Sequence, residues 1–467
     1  MDTLQLVGLV LAVALIAGLA IFSGMRGKGG SGEQKNNSAI VAGVIMGTLV
    51  GGSSTVGTAQ LAYTYGMSAW WFTLGGGIAC LVLALVYAKP LRAKNTSTLV
   101  GMISLEYGSA VGLAASALNA VGTFINIISQ LLAASAVLLV VWPTLGTVWT
   151  VALSAVFMAL YVVFGGTRGA GMVGILKLVL LYLAMVACAA LALSMTGGLS
   201  GVLDLARNLS RETGVNYFSL ISRGAGKDLG SCLSLILGVL TTQTYAQALL
   251  TARSDAAART GALVSAVLIP PIGVCGILVG LFMRSVTDPT VFVAKTALTQ
   301  FALTYLPSLL GGVVLGALFV ASVGTGAGLA LGISTILSRD IVPRFTRRFD
   351  TPARREVLSK VLILAVLAAA CCLSTGSLGD TILNFAFMSM GLRGAVVFVP
   401  LCCLLWAPGW VAKEYAMASV LVGPITVLLF GTVFSDTLPF DPLFAGILAD
   451  LVIMGAGLVR GRKGSTL

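Results

Sequence analysis

Two cationic side chains stand where a cation is costly to keep. Lys177 lies in Gly174-Ile-Leu-Lys177-Leu-Val-Leu-Leu181 and Arg393 in Met388-Ser-Met-Gly391-Leu-Arg393-Gly394-Ala395, both inside long apolar stretches. A guanidinium keeps its charge and presents a planar fork that fits a carboxylate. Arg393 therefore points to an anionic group on a solute, or else to backbone carbonyls that hold it for structure. An ammonium is a compact charge whose proton affinity responds to its surroundings, so Lys177 is able to load and release a proton. The chain has no histidine, and the apolar core segments are expected to hold no aspartate or glutamate. If protons take part, Lys177 is the natural titrating group.

A third feature is the run Gly47-Thr-Leu-Val-Gly51-Gly52-Ser53-Ser54-Thr55-Val-Gly57-Thr58-Ala-Gln60, poor in helix formers in the middle of an apolar span. It predicts a helix break near Gly51 to Ser54, which frees carbonyls for a cation or a solute. Thr58, Gln60, Asn126, Gln130, Gln243 and Asn384 are the polar side chains expected to face a cavity, and each serves equally well as an interhelical hydrogen bond. A second glycine cluster, Gly324, Gly326, Gly328 and Gly332, marks either loosened backbone or close helix packing.

The elements that must position these groups follow from composition. The chain is 58% hydrophobic and 9% charged, against about 25% charged in soluble domains, so a water-facing surface cannot be built from it. Apolar stretches of about 20 residues recur with short polar breaks, and thirteen spanning segments are expected, at 5–25, 39–65, 69–88, 109–141, 146–164, 170–195, 229–250, 262–284, 308–337, 358–376, 381–405, 411–432 and 441–459. Positive charge follows the first segment (Arg26, Lys28, Lys35) rather than preceding it, which reads as a retained helix with its N-terminus outside. That orientation places 20 of the 28 basic residues on the cytoplasmic side, including Lys89, Arg92, Lys94, Arg168, Arg253, Arg259 and the run from Arg339 to Lys360, as the positive-inside rule requires. The net charge of +12 therefore reports orientation and not a nucleic-acid partner. The eight cysteines all fall in apolar stretches and read as packing thiols. The two longer outside connections, 196–228 and 285–307, read as amphipathic lids or as solvated linkers.

The glycine and hydroxyl run, with Tyr65-Gly66 and Trp70-Trp71, resembles the first core helix of the sodium/solute symporter family. Further matches follow in that family's order: Gly165-Gly166; Gln243-Thr-Tyr245-Ala-Gln247 with Ala252-Arg-Ser254 and Gly261; and Ser334-Thr335 leading to Ser338-Arg339-Asp340. The resemblance covers residues 1–405 and implies an all-α membrane protein of leucine-transporter type. Residues 1–38 would be an accessory helix with a basic loop, 39–405 a ten-helix core (39–195 and its inverted repeat 229–405), and 406–467 two peripheral helices with a basic tail. It also implies a sodium site between the segments 39–65 and 308–337, with the carbonyls of Gly51, Ser54 and Ala321 as ligands and hydroxyls at positions 324 and 325. Thr325 supplies one of them, but Gly324 has no side-chain oxygen for a hard cation. An acid that the family often carries matches Gly174 here, with Lys177 three residues on. Lys177 is nine residues beyond Arg168, about 13 Å along a helix. It either snorkels to the cytoplasmic surface or occupies the region of the absent sodium, touching Gly51, Ala321 and Thr325.

The expected protein is a multi-pass symporter of the cell inner membrane, its C-terminus cytoplasmic, importing a small carboxylate-bearing solute such as an amino acid or organic acid by alternating access. It needs no cofactor, and its coupling ion is a proton or sodium. Two alternatives stand beside it: a sodium symporter in which Ser322 or Ser53 supplies the missing oxygen, and a sensor that keeps the fold without transport. Enzyme chemistry would need paired acids, histidines or a nucleophile beside a base. A channel would need a ring of charges or a repeated filter. Asp450, deep in the last segment, reads as a packing acid. Nothing in the residues signals an oligomeric state.

Overall fold

The computed structural model describes residues 1–26, 36–94, 96, 98–165, 170–342, 346, 351–375, 381–434 and 438–464. Gly166, Arg168, Lys28 and Lys35 of the sequence reading lie outside them. The described residues form helices and no strands, joined by short turns.

Each of the thirteen expected segments contains helix. They are α1 (Thr3–Arg26), α2 (Ser38–Leu49) with α3 (Thr58–Tyr65), α4 (Trp71–Val82), α5 (Ser109–Val141), α6 (Gly146–Gly165) and α7 (Ala170–Met195). After them come α8 (Ala225–Thr241) with α9 (Gln243–Leu250), α10 (Asp255–Val286), α11 (Ser308–Ile336), α12 (Pro352–Ser374), α13 (Ile382–Trp406), α14 (Lys413–Val433) and α15 (Pro442–Gly464). By length and apolarity alone, ten helices among the described residues can cross a membrane, eleven if the bent pair α8–α9 is counted as one span. The count of thirteen is therefore not reached by that measure. Ser38–Leu49 is too short by itself, and Ser53–Ala93 passes as a single run although Gly66, at φ +59°, breaks it. A side chain at Gly66 would overlap the backbone of Tyr217, so this turn needs glycine for its conformation and for its close contact.

The core segments do contain a carboxylate, contrary to expectation. Helix α8 begins four residues earlier than the apolar run suggests and takes in Asp228, which is fully buried. The apolar run is a poor guide there because the acid is neutralised in place by Arg223, 2.7 Å away, so a charged first turn is tolerated inside the protein.

Two broken spans position the site. Helix α2 stops at Leu49, Val50 is extended (φ −88°, ψ 98°), and the chain resumes as a wide π-turn over Ser53–Gly57 before α3. The break falls where glycine and hydroxyl residues replace helix formers. Helices α8 and α9 meet at a bend of 47°, where Thr242 is extended (φ −84°, ψ 126°). The 33-residue α5 is buried along most of its length and packs against α11 and α13, forming the spine between the two breaks. Large apolar side chains such as Trp149, Val267 and Val452 face outward, the surface a bilayer solvates. Of the connections, Tyr217, Leu298 and Phe301 are buried, whereas Leu203 and Phe218 are exposed, so each connection is anchored by an apolar side.

Candidate functional site: two buried cations

Lys177 points inward and is 6% exposed, so it does not snorkel. Its Nζ donates to the Gly47 carbonyl at 3.0 Å, the Thr325 hydroxyl at 2.9 Å and the Ala321 carbonyl at 3.4 Å. The amine thus joins α7 to α2 and α11. The expected contact with Gly51 is replaced by one with Gly47, one turn earlier. The Gly51 carbonyl instead accepts from the hydroxyls of Ser54 (3.0 Å) and Thr55 (2.8 Å), the back-bonding that serine and threonine make to a carbonyl three or four residues earlier. Gly51 remains close to the amine's neighbours: a Cβ there would lie 2.8 Å from Thr325 Oγ1 and 3.2 Å from Gln130 Oε1. Position 324 has room, with the nearest atoms those of Tyr161 at 3.6 Å from an added Cβ.

The polar side chains around the first break brace backbone. Gln130 accepts from the Gly52 N–H (3.0 Å) and donates to Ser53 (2.8 Å). Ser53 pairs with Ser129 (2.7 Å), and Ser129 donates to the Ile382 carbonyl (2.8 Å). Gln60 accepts from the Ile382 N–H at 3.0 Å, so the first residue of α13 is held at both its polar atoms. Thr58 is buried with its hydroxyl unpartnered among the described residues. Ser322, one candidate for the oxygen missing at position 324, donates to the Leu318 carbonyl of its own helix at 2.9 Å.

Arg393 lies on α13 and is 1% exposed, yet it forms part of the wall of a cavity of about 860 Å³. Its guanidinium donates to the Thr242 hydroxyl (2.9 Å) and to the carbonyl (3.2 Å) and hydroxyl (3.1 Å) of Ser389, with Met390 Sδ at 3.0 Å. Every one of these acceptors is neutral. Gly122 on α5 admits the arginine stem, since a Cβ there would be 2.7 Å from Arg393 Cγ. The same cavity is lined by Gln243, Thr244 and Gln247 at the second break, by Asn119 and Thr123 on α5, and by Gly328 and Gly332 on α11. An added Cβ at Gly328 or Gly332 meets nothing within 4 Å, so these glycines widen the cavity, whereas a methyl at Gly52 would overlap Ala133 and Ser322. Gln243 Oε1 also accepts from the Leu99 N–H at 2.8 Å.

Asn384 is in a different place. It lines a separate pocket of about 220 Å³ with Arg223, Lys227 and Asp441. Beside that pocket Arg223 is bonded to Asp228, Ser68 and Ser231 and stacks over Phe387, its guanidinium carbon 5.7 Å from the ring centre. Asp450 accepts from Ser419 at 2.8 Å between α14 and α15, facing Gly423. Sequence reasoning overlooked Thr242 and Ser389, the residues that hold Arg393, although the hydroxyl run Thr241-Thr242-Gln243-Thr244 in an apolar span carried the signal. It also overlooked the Arg223–Asp228 pair, whose two members sit in a connection that reads as polar.

Two broken spans stand about a long central helix, with Lys177 near the first break and Arg393 near the second, and residues 36–423 match the sodium:solute symporter family. The chain belongs to that family and is a multi-pass membrane symporter. It is 23% identical over 417 residues to the uncharacterized symporter YwcA of Bacillus subtilis, covering 85% of this chain and 79% of the relative. It is 22% identical over 442 residues to the human high affinity choline transporter 1, covering 86% and 73%. Its fold is similar to that of a Na+-coupled sialic acid symporter solved in a substrate-bound outward-open state, with a TM-score of 0.76, 16% identity and coverage of 99% and 98%.

Proposed function

We propose that this symporter imports a small solute bearing a carboxylate and that Lys177 takes the place of the coupling sodium ion. The observation that carries the solute class is Arg393, a permanent cation on a cavity wall whose partners are all neutral. A desolvated guanidinium without a counter-charge is costly, and a carboxylate delivered by the solute offsets that cost with a charge-assisted hydrogen bond. The coupling half rests on the oxygen cage of Gly47, Ala321 and Thr325, which holds an ammonium. Protonation and deprotonation of that amine link the positions of α2, α7 and α11 to the proton gradient. The wide cavity is lined by the exposed Thr98 and Gln247, and Arg92 bonds the Leu249 and Ala252 carbonyls just beyond Gln247. With basic loops on the cytoplasmic side this is an inward-facing shape, N-terminus outside, in the cell inner membrane.

The second reading is a sodium-coupled carrier, favoured by the family and by the Na+-coupled symporter of like fold. Against it, Gly324 brings no oxygen, while the Thr325 hydroxyl and the Ala321 carbonyl already accept from Lys177. Uptake into proteoliposomes under imposed gradients separates the two. Carboxylate uptake driven by a proton gradient without sodium supports the proposal, and uptake that needs sodium and ignores the proton gradient overturns its coupling half.

A further inference from the structure

The wall of the 860 Å³ cavity says more about the solute than that it is an anion. Among the described residues that line it, Arg393 is the one charged side chain and none carries an aromatic ring. Its polar groups are hydroxyls and amides spread over four elements, among them Ser104, Asn119, Thr123, Thr242, Gln247 and Thr335. Several of the hydroxyls have already committed their hydrogen: Thr123 donates to the Asn119 carbonyl at 2.9 Å, Thr242 to Gly238 at 2.6 Å and Thr335 to Leu331 at 2.8 Å. What these side chains can still offer is lone pairs, while the amides of Asn119 and Gln247 supply both donors and acceptors.

We infer that the solute is a hydroxylated carboxylate without an amine, of the hydroxy-acid or sugar-acid class, and not an amino acid or a quaternary ammonium compound. This rests on the reading that Arg393 holds a carboxylate. A hydroxyl both donates and accepts, so a chain of them matches a wall of lone pairs interleaved with amides. An amino acid whose carboxylate lies on Arg393 places its ammonium one carbon farther on, beside the guanidinium and with no carboxylate in the wall to offset two like charges. A quaternary ammonium is recognised chiefly by aromatic faces, and this wall has none. A plain fatty acid would leave the polar wall unpaired. The volume lies within the range of sites that enclose small organic molecules, about 300–1,000 Å³, and Gly328 and Gly332 keep the wall open at the α11 side.

The test is thermal unfolding of the purified full-length protein in detergent, titrated with four sets of probes. These are hydroxy acids of increasing length (lactate, glycerate, gluconate, glucuronate), acids without hydroxyls (propionate, hexanoate), amino acids (alanine, norleucine) and neutral glucose, with choline as the quaternary amine. The expected result is that at least one hydroxy acid stabilises the protein at a concentration about tenfold lower, or better, than its partner without hydroxyls, and that Arg393→Gln removes the effect. Stabilisation by an amino acid or an unadorned acid at equal or lower concentration, lost in Arg393→Gln, overturns the hydroxy-acid inference while leaving the carboxylate reading intact. Stabilisation by glucose or choline that survives Arg393→Gln overturns the carboxylate reading itself. Thr123→Val, which keeps the shape and removes the hydroxyl, should weaken the hydroxy acid and leave its matched plain acid unchanged. Equal loss for both acids would also overturn the inference.

Discussion

Lys177 and Arg393 are both buried cations with neutral partners, but they occupy different kinds of place. Around Lys177 the protein closes: two carbonyls and a hydroxyl from α2 and α11 meet the amine, and Lys177 is not among the residues that line the 860 Å³ cavity. Around Arg393 the protein opens: α5, α9 and α11 stand back, and the guanidinium forms part of a cavity wall. A closed oxygen cage is the surrounding that a hard cation would need, and here it holds an ammonium instead. On the proposed function, an open cation without a counter-charge receives that charge from the solute. The same cost, desolvation of a positive group, is thus met internally at one site and left for the solute to meet at the other.

The comparison can be broken at either end. The largest effect is expected at the open site. Arg393→Gln should weaken carboxylate binding by about 2–5 kcal/mol, as when one partner of a buried charge pair is removed, visible as a rise of at least about thirtyfold in half-saturating concentration with the fold retained. Intact affinity would reduce Arg393 to a structural cation. At the closed site, Lys177→Met removes the amine's hydrogen bonds to the Gly47 carbonyl and the Thr325 hydroxyl, while the Ala321 carbonyl keeps Thr325 as a donor. Urea or thermal unfolding in detergent should show a loss of about 1–3 kcal/mol, together with loss of any proton-driven uptake. A stable, fully coupled Lys177→Met variant would end its role as an ion surrogate.

The glycines sharpen the contrast between packed and open regions. Gly52→Ala drives a methyl into Ala133 and Ser322 and should cost about 1–3 kcal/mol as overpacking, whereas Gly328→Ala, into empty space, should leave stability within about 0.5 kcal/mol. Comparable losses at both positions in thermal unfolding would mean that α11 is packed along its whole length. The smallest effect belongs to Asp450→Asn, between peripheral helices, where the Ser419 bond can be kept. Uptake should be unchanged, and a transport defect would move Asp450 into the transport machinery.

Much of this was legible in the sequence because the bilayer narrows what a chain can be. Runs of apolar residues gave the thirteen expected segments, though not the helices Leu99–Tyr107, Gly198–Thr213 and Ala297–Thr304, and a lysine or arginine inside such a run had to face protein, which is where Lys177 and Arg393 are found. The first break was legible because Gly51, Gly52 and Ser53 are poor helix formers in series. The second was not: Thr242 is tolerated in helices, and its extended conformation depends on how α8 and α9 pack against neighbours far along the chain. Individual ligands were less legible than the region that holds them. Gly47 stands one helical turn from Gly51, and which carbonyl meets the amine is decided by the depth at which α7 docks. Asn384 was misplaced relative to Arg393 for a similar reason: nine residues apart on α13, they face opposite ends of the span, one towards the small pocket and one towards the large cavity.

The central claim, that an amine stands where relatives keep a metal ion, is tested most directly without any solute. Thermal unfolding of the purified protein in sodium chloride and in potassium chloride of equal ionic strength should give the same midpoint. The double variant Lys177→Ala/Gly324→Ser, with the amine removed and a hydroxyl restored in the space beside Tyr161, should gain sodium-specific stabilisation of about 1–3 kcal/mol at saturating sodium. Sodium-specific stabilisation of the unaltered protein, undiminished in Lys177→Met, would contradict the account.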